Sequence, residues 1–137
     1  MKFKISLSKL RDGRLMSKSE LDCGCAVGQA LIQMGVPVKR LAGENVLRRL
    51  FQRKTSSSLL KKLIQAKFLY QTETIDVDQA LIPYLEPHWV SQAYMASDTL
   101  CWLRDGYKVN KAKSVDTEKK KMVAAFKKGG HTITFVK

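Results

Sequence analysis

Apolar and polar residues alternate strictly from Lys2 to Leu7. Phe3, Ile5 and Leu7 point one way and Lys2, Lys4 and Ser6 the other, which predicts a strand with one buried face. Arg11-Asp12-Gly13 is a turn signal, and Arg14–Met16 is expected to return as the second strand of a short hairpin. The next stretch, Leu21–Val36, carries no basic residue. Within it Leu21, Cys25, Gly28, Leu31 and Ile32 recur mainly at three- and four-residue steps, which predicts a buried helix. Ser17 or Ser19 offers its N-cap, and Glu20 and Asp22 suit a first turn. Gly35 is placed to close it and Pro37 to keep it from restarting. Gly24 and Gly28 are small residues four apart. They predict close approach of another element, expected to be the terminal strands, with Cys25 buried and Gly28 facing a backbone.

Two further amphipathic stretches follow. Over Glu44–Lys54, Val46, Leu47, Leu50 and Phe51 share one face while Arg48, Arg49, Gln52 and Arg53 share the other. Over Leu59–Tyr70, Leu60, Leu63, Ile64 and Phe68 are expected inward and Lys61, Lys62 and Gln65 outward. Asp76 or Asp78 is placed to cap a short helix through Ile82, which Pro83 and Pro87 interrupt. Trp89–Met95 reads as a helix or a short strand, Leu100–Leu103 is apolar, and Asp105-Gly106 is a turn signal. At the end, Ser114 or Thr117 caps a helix running to Lys128 with Met122, Val123 and Phe126 as its stripe. Gly129-Gly130 stops it and Thr132–Val136 alternates as a strand, expected beside the first one. The pattern is that of one α+β domain over residues 1–137, a small sheet of the terminal strands packed with several helices.

Charge changes this picture most. The 137 residues carry a net charge of +13. A fold does not require that excess, and it favours polyanionic partners. It is also segregated. Lys39, Arg40, Arg48, Arg49, Arg53, Lys54, Lys61, Lys62 and Lys67 are opposed between positions 39 and 67 by Glu44 alone. The stretch from Gln71 to Asp105 is acidic, and Lys108–Lys128 is basic again. No apolar run approaches the roughly 20 residues of a membrane span, and the N-terminus lacks the apolar centre of a signal peptide, so a cytoplasmic location and no membrane partner are expected. Three cysteines, two separated by one residue, argue for reduced thiols.

Cys25-Ala26-Val27-Gly28, followed by Gly35-Val36-Pro37, resembles the Cys-Ala-Leu-Gly helix of a loose group of small phage and mobile-element proteins. The block Thr117–Val136, with Phe126-Lys127-Lys128-Gly129 and then Ile133-Thr134-Phe135-Val136, is similar to the same group. The similarity covers the first and last thirds. The basic middle departs from it, as does Lys119-Lys120-Lys121, where many of the group are acidic. The resemblance implies a compact accessory α+β protein acting inside a bacterial cell, and it transfers no active site.

Catalytic and metal readings are weak by spacing. Cys23 and Cys25, with Cys101, His88 and His131, supply zinc-ligand types, but one intervening residue is too few for a knuckle, and on a helix the two would project about 200° apart. Small apolar filling is the plainer role for Cys25. A triad of His88, Cys101 and Asp105 has no supporting pattern. Asp76-x-Asp78 suits a helix cap better than a metal. Gly24-x-x-x-Gly28 is no P-loop, since no Gly-Lys-Ser/Thr follows. No catalytic residue, metal or cofactor is therefore assigned.

The basic helices remain. Lys39, Arg40, Arg48, Arg49, Arg53, Lys54, Lys61 and Lys62 are the expected binding residues, and the plain alternative is a solvated helix face. Two helices around Thr55–Ser58 faintly suggest helix-turn-helix geometry. The expected function is binding of nucleic acid or a ribonucleoprotein, DNA and RNA being undistinguished. The alternative is an inhibitor docking on a host defence complex, and a small metal-dependent nuclease ranks last.

Overall fold

The computed structural model describes residues 1–47, 57–71 and 84–137. The chain is α+β. Its first strand, β1 (Lys2–Ser6), lies parallel to its last, β4 (Thr132–Val136), in register from Lys2 opposite Thr132 to Ser6 opposite Val136. Phe3, Ile5 and Ile133 enter the core, while Lys2, Lys4, Thr132 and Thr134 face solvent, as the alternation requires.

The helix α1 (Ala26–Gln33) is shorter than its sequence pattern. Residues before it are already committed elsewhere. Gly24 N–H donates to the Lys9 carbonyl at 3.0 Å, Cys25 N–H to Arg14 at 2.9 Å, and the Cys23 carbonyl accepts from Ser17 at 2.7 Å. A backbone tied to the loop of residues 9–17 cannot also make helical bonds. Leu21 is consequently exposed, and Cys25, not Ser17 or Ser19, is the N-cap, its Sγ accepting from Gly28 N–H at 3.4 Å. Ser97 Oγ on a later helix takes Ala26 N–H at 3.0 Å. Arg14–Met16 forms no hairpin with β1. Met16 instead bridges Ala42 in parallel, and the Leu15 carbonyl lies against both Gly24 and Gly28, where any Cβ would overlap it. The close partner of α1's glycine face is therefore this loop. The strand β1 meets α1 through the side chains of Gln29 and Gln33.

After α2 (Val38–Leu41), residues Glu44–Val46 are not helical and Leu47 is buried, and the rest of the helix read over Glu44–Lys54, from Arg48 on, lies outside the described residues. The short helix read near Asp76 and Asp78 lies outside them too. The helix α3 (Ser57–Gln65) ends earlier than its pattern, so that Phe68 and Leu69 are buried beyond it and Tyr70–Gln71 becomes β2, antiparallel to β3 (Tyr84–Leu85).

The ambiguous middle is one helix, α4 (His88–Arg104), with Pro87 at its N-cap. Trp89, Val90, Ala93, Ser97, Leu100 and Cys101 are all buried along one face of it. Polar Ser97 and Thr99 are buried while apolar Met95 and Trp102 are exposed, so the burial stripe is not an apolar stripe and periodicity left the stretch undecided between helix and strand. The helix α5 (Val115–Lys128) begins with a capping box. Thr117 N–H donates to Ser114 Oγ at 3.2 Å and Ser114 N–H to Thr117 Oγ1 at 2.9 Å. Met122, Ala125 and Phe126 face inward, whereas Val123 is exposed.

Helices α1, α3, α4 and α5 end alike, with paired six-to-one and five-to-two backbone bonds. The closing donors are Val36 to Leu31, Phe68 to Leu63, Tyr107 to Trp102 and His131 to Phe126. The left-handed residue in these turns is Gly35, Gly106 or Gly130 in three cases and Lys67, at φ +63°, in the fourth.

Candidate functional site

The eight sequence-predicted binding residues divide. Arg48, Arg49, Arg53 and Lys54 lie outside the described residues. Lys39 and Arg40 sit exposed on α2, and Lys61 and Lys62 are exposed on α3. Lys62 is partly occupied. Its Nζ donates to the Met34 carbonyl at 2.7 Å, a cation on the C-terminal end of α1. That contact brings α3 to the corner from which α2 starts.

The far end of α2 leads to a second pair of cations that periodicity and charge runs did not single out. Leu15 N–H donates to the Glu44 carbonyl at 2.6 Å and Gly43 N–H to Met16 at 2.9 Å, stitching Gly13–Lys18 against Ala42–Asn45. Leu15 and Met16 fill the core, which turns Arg14 and Lys18 outward. Together with Gly13, Gly43 and Asn45 these two cations line a hollow of about 450 Å³. The Lys18 stem lies directly over Gly43, where a side chain would collide with its methylenes. No carboxylate is among the lining residues, and among the described residues no acid pairs with Arg14 or Lys18. The sequence carried a signal for this hollow only in the positive-φ glycines, Gly13 and Gly43, that flank it.

Other cations do structural work. Arg11 pairs with Glu20 through two bonds, Nη2 to Oε2 at 2.7 Å and Nε to Oε1 at 3.2 Å. That side-chain hydrogen bond holds the Glu20 carboxyl below its usual range. Arg104 Nη1 donates to the carbonyls of Leu7 at 2.6 Å and Leu10 at 2.8 Å, tying the end of α4 to the loop after β1, and its Nε holds Asp105 at 2.9 Å.

Of the residues weighed for metal or catalysis, Cys101 and Asp105 meet, Sγ 4.0 Å from Oδ2, and His88 does not join them, while Asp76 and Asp78 lie outside the described residues. His88 and Cys101 are thirteen residues apart on α4, about 20 Å along its axis. Burial pushes the Cys25 thiol up to about 12. Cys101 Sγ donates to the Leu10 carbonyl at 3.6 Å, and burial raises its pKa as well. His131 is buried against Phe3, Phe68 and Trp89, with Nε2 at 2.6 Å from the Ala66 carbonyl and Nδ1 at 3.2 Å from the Met1 nitrogen. Among the described residues no three such side chains gather as a metal site. No helix of the described residues is long and apolar enough to cross a membrane.

No protein-family model matches the chain, and no curated protein or solved structure matches it.

Proposed function

We propose that this protein binds nucleic acid through phosphate contacts made by Arg14 and Lys18, with the exposed Lys39, Arg40 and Lys61 as further contacts. The observation that carries this reading is the Arg14–Lys18 hollow, which no carboxylate lines. Among the described residues no acid pairs with these two cations, which are held on fixed backbone, and a phosphate oxygen would supply the partner. The net charge of +13 adds long-range attraction of the same sign. Contacts of this kind are independent of sequence and release counterions, so the affinity falls with salt. No catalytic step belongs to this reading.

The test is binding of fluorescent duplex DNA, single strands and RNA at two salt concentrations. Five duplex phosphate contacts give a slope of log K against log salt of about −4.5. Arg14→Gln combined with Lys18→Gln removes two of them, and the slope is expected to become shallower by about 1.8. Absence of binding to every nucleic acid at low salt overturns the reading.

A second reading, docking on an acidic face of a host protein, draws on the groove between α4 and α5. Met95, Ala124 and Ala125 form part of its surface and Lys113, Lys121 and Lys128 line it. Met95 is 69% exposed there. An acidic amphipathic helix is the complementary partner. A partner retained after nuclease treatment and released by Met95→Glu favours this reading. Loss of all capture on nuclease treatment favours the first.

A further inference from the structure

The Asp12-Gly13 turn also lines a hollow of different chemistry. Its volume is about 500 Å³, and Trp102, Tyr107, Lys108 and Asp12 are among its walls. Trp102 is 39% exposed and Tyr107 is 68% exposed, whereas Phe3, Phe68, Trp89 and Phe126 are in the core. Their placement is fixed. Tyr107 N–H closes the end of α4 on the Trp102 carbonyl at 3.0 Å, so Tyr107 follows directly over the last turn. The indole Nε1 of Trp102 donates to Asp12 Oδ2 at 2.8 Å, and the turn bearing Asp12 is anchored by Gly13 N–H to Asp98 Oδ1 at 3.0 Å. The polar edge of the indole is satisfied by the protein while part of the ring stays in water.

The wall carboxylates already have partners, Asp12 in the indole N–H and Asp105 in Arg104. Lys108 adds a positive charge, and Lys111 and Lys113 follow it with no intervening acid. With Asp105 balanced by Arg104 and Asp12 offset by Lys108, the walls are close to neutral overall, which suits the uncharged face of a base, and negative charge is favoured beyond them toward the lysines. The neighbouring hollow supplies the place for that charge. Asp12 lines the aromatic hollow and Gly13, the next residue with a Cα only about 3.8 Å away, lines the Arg14–Lys18 hollow. An aromatic platform adjoining a cationic hollow is the arrangement that takes a base and its phosphate together. In a duplex the bases are stacked inside, out of reach of Trp102 and Tyr107.

We infer that the preferred ligand is single-stranded nucleic acid, with unpaired bases stacking on Trp102 and Tyr107 and the phosphates lying in the Arg14–Lys18 hollow. This rests on the nucleic-acid reading above and names its substrate class. The indole of Trp102 is also the reporter, because Trp89 is buried against Phe68 and Phe126.

The experiment titrates the full chain with oligo(dT), oligo(U) and a blunt duplex of equal length, following tryptophan emission and anisotropy. The two single strands separate DNA from RNA as the source of the same chemistry. Single strands are expected to quench the emission, and the quench is lost in Trp102→Phe if Trp89 is silent. Trp102→Ala and Tyr107→Ala are each expected to weaken single-strand binding about 5- to 150-fold while changing duplex binding less than about twofold. Tyr107 is exposed enough that its replacement leaves the fold intact, which keeps the test valid if Trp102→Ala unfolds. Single-strand affinity unchanged in Tyr107→Ala and Trp102→Phe, without quenching, overturns this inference and leaves the phosphate reading standing. Absence of binding to any nucleic acid overturns both.

Discussion

The Gln29 side chain holds both backbone groups of Ser6. Its Oε1 accepts from Ser6 N–H at 2.7 Å and its Nε2 donates to the Ser6 carbonyl at 3.1 Å. One helical turn on, Gln33 does the same for Lys4, at 2.9 Å and 2.7 Å. In a parallel ladder alternate residues turn both backbone groups to the same side. The bonds from Thr132 to Met1 and from Leu7 to Val136 place the groups of Phe3 and Ile5 toward β4, which leaves Lys4 and Ser6 facing away. Two glutamines on α1 thus cover the edge a third strand would otherwise take.

Gln29→Leu keeps the apolar volume and leaves a buried N–H and a buried carbonyl without partners. The expected loss is about 2–6 kcal/mol of unfolding free energy in urea, from about 1–3 for each group. Gln33→Leu, at an exposed position, is expected to cost less than about 1 kcal/mol. Equal effects at the two positions would contradict the edge-covering role.

Lys67 occupies the left-handed turn position that glycine fills at the ends of α1, α4 and α5. A Cβ in that conformation is strained, and the backbone bonds of the turn do not need it. Lys67→Gly is expected to stabilise the protein by about 0.5–1 kcal/mol despite glycine's greater entropy when unfolded. The check is the denaturation midpoint, and a lowered midpoint would show that the lysine side chain matters more than the turn.

His131 is held neutral. The Ala66 carbonyl can only accept, so Nε2 carries the proton and Nδ1 accepts from the Met1 nitrogen. Burial lowers its pKa below the usual 6.5. Between the folded and unfolded values the unfolded chain binds more protons, so this contribution is complete above about pH 6.5 and is lost as pH falls through the folded value. Each unit of depression is worth about 1.4 kcal/mol. Unfolding free energies from pH 5 to 8 are expected to fall more steeply at the acid end for the native chain than for His131→Gln. Parallel curves would remove His131 as the source.

The Cys25 thiol, pushed up to about 12, is nearly absent as thiolate at neutral pH and is only 2% exposed. Native protein at pH 8 is expected to label at Cys25 more than about a hundredfold slower than denatured protein. Comparable rates would place the N-terminus of α1 in solvent. The companion substitution Gly28→Ala forces a methyl into the Leu15 carbonyl, and about 3 kcal/mol or outright failure to fold is expected. Gly13→Ala meets no neighbour, so any cost there comes from its positive φ alone.

Local pattern was enough for the elements whose neighbours lie on one side. The alternation at Lys2–Leu7 and Thr132–Val136 marked both terminal strands, and Ser114, Gly129 and Gly130 bracketed α5. The burial of Cys25 and the close backbone approach at Gly28 were likewise legible, because a cysteine and glycines among aliphatics leave few other uses. Helix α4 was left undecided between helix and strand, since it buries Ser97 and Thr99 and exposes Met95 and Trp102, which blurs its apolar periodicity. The start of α1 was not legible either, because bonds from residues 9–17, distant in the helix register, claim the backbone of Cys23–Cys25.

For function the division follows the same physics. The sequence by itself determined how much positive charge the protein carries and that Lys39–Lys67 concentrates it. It did not determine which cations are free. Arg11 and Arg104 read like any other basic residue, yet carboxylates and carbonyls engage both. Only the tertiary structure set Arg14 beside Lys18, and Trp102 beside Tyr107, in two hollows that the Asp12-Gly13 turn lines in common. Net charge is additive and can be read from a list of residues. A hollow depends on which backbone segments cross, and that is decided by long-range hydrogen bonds and core packing.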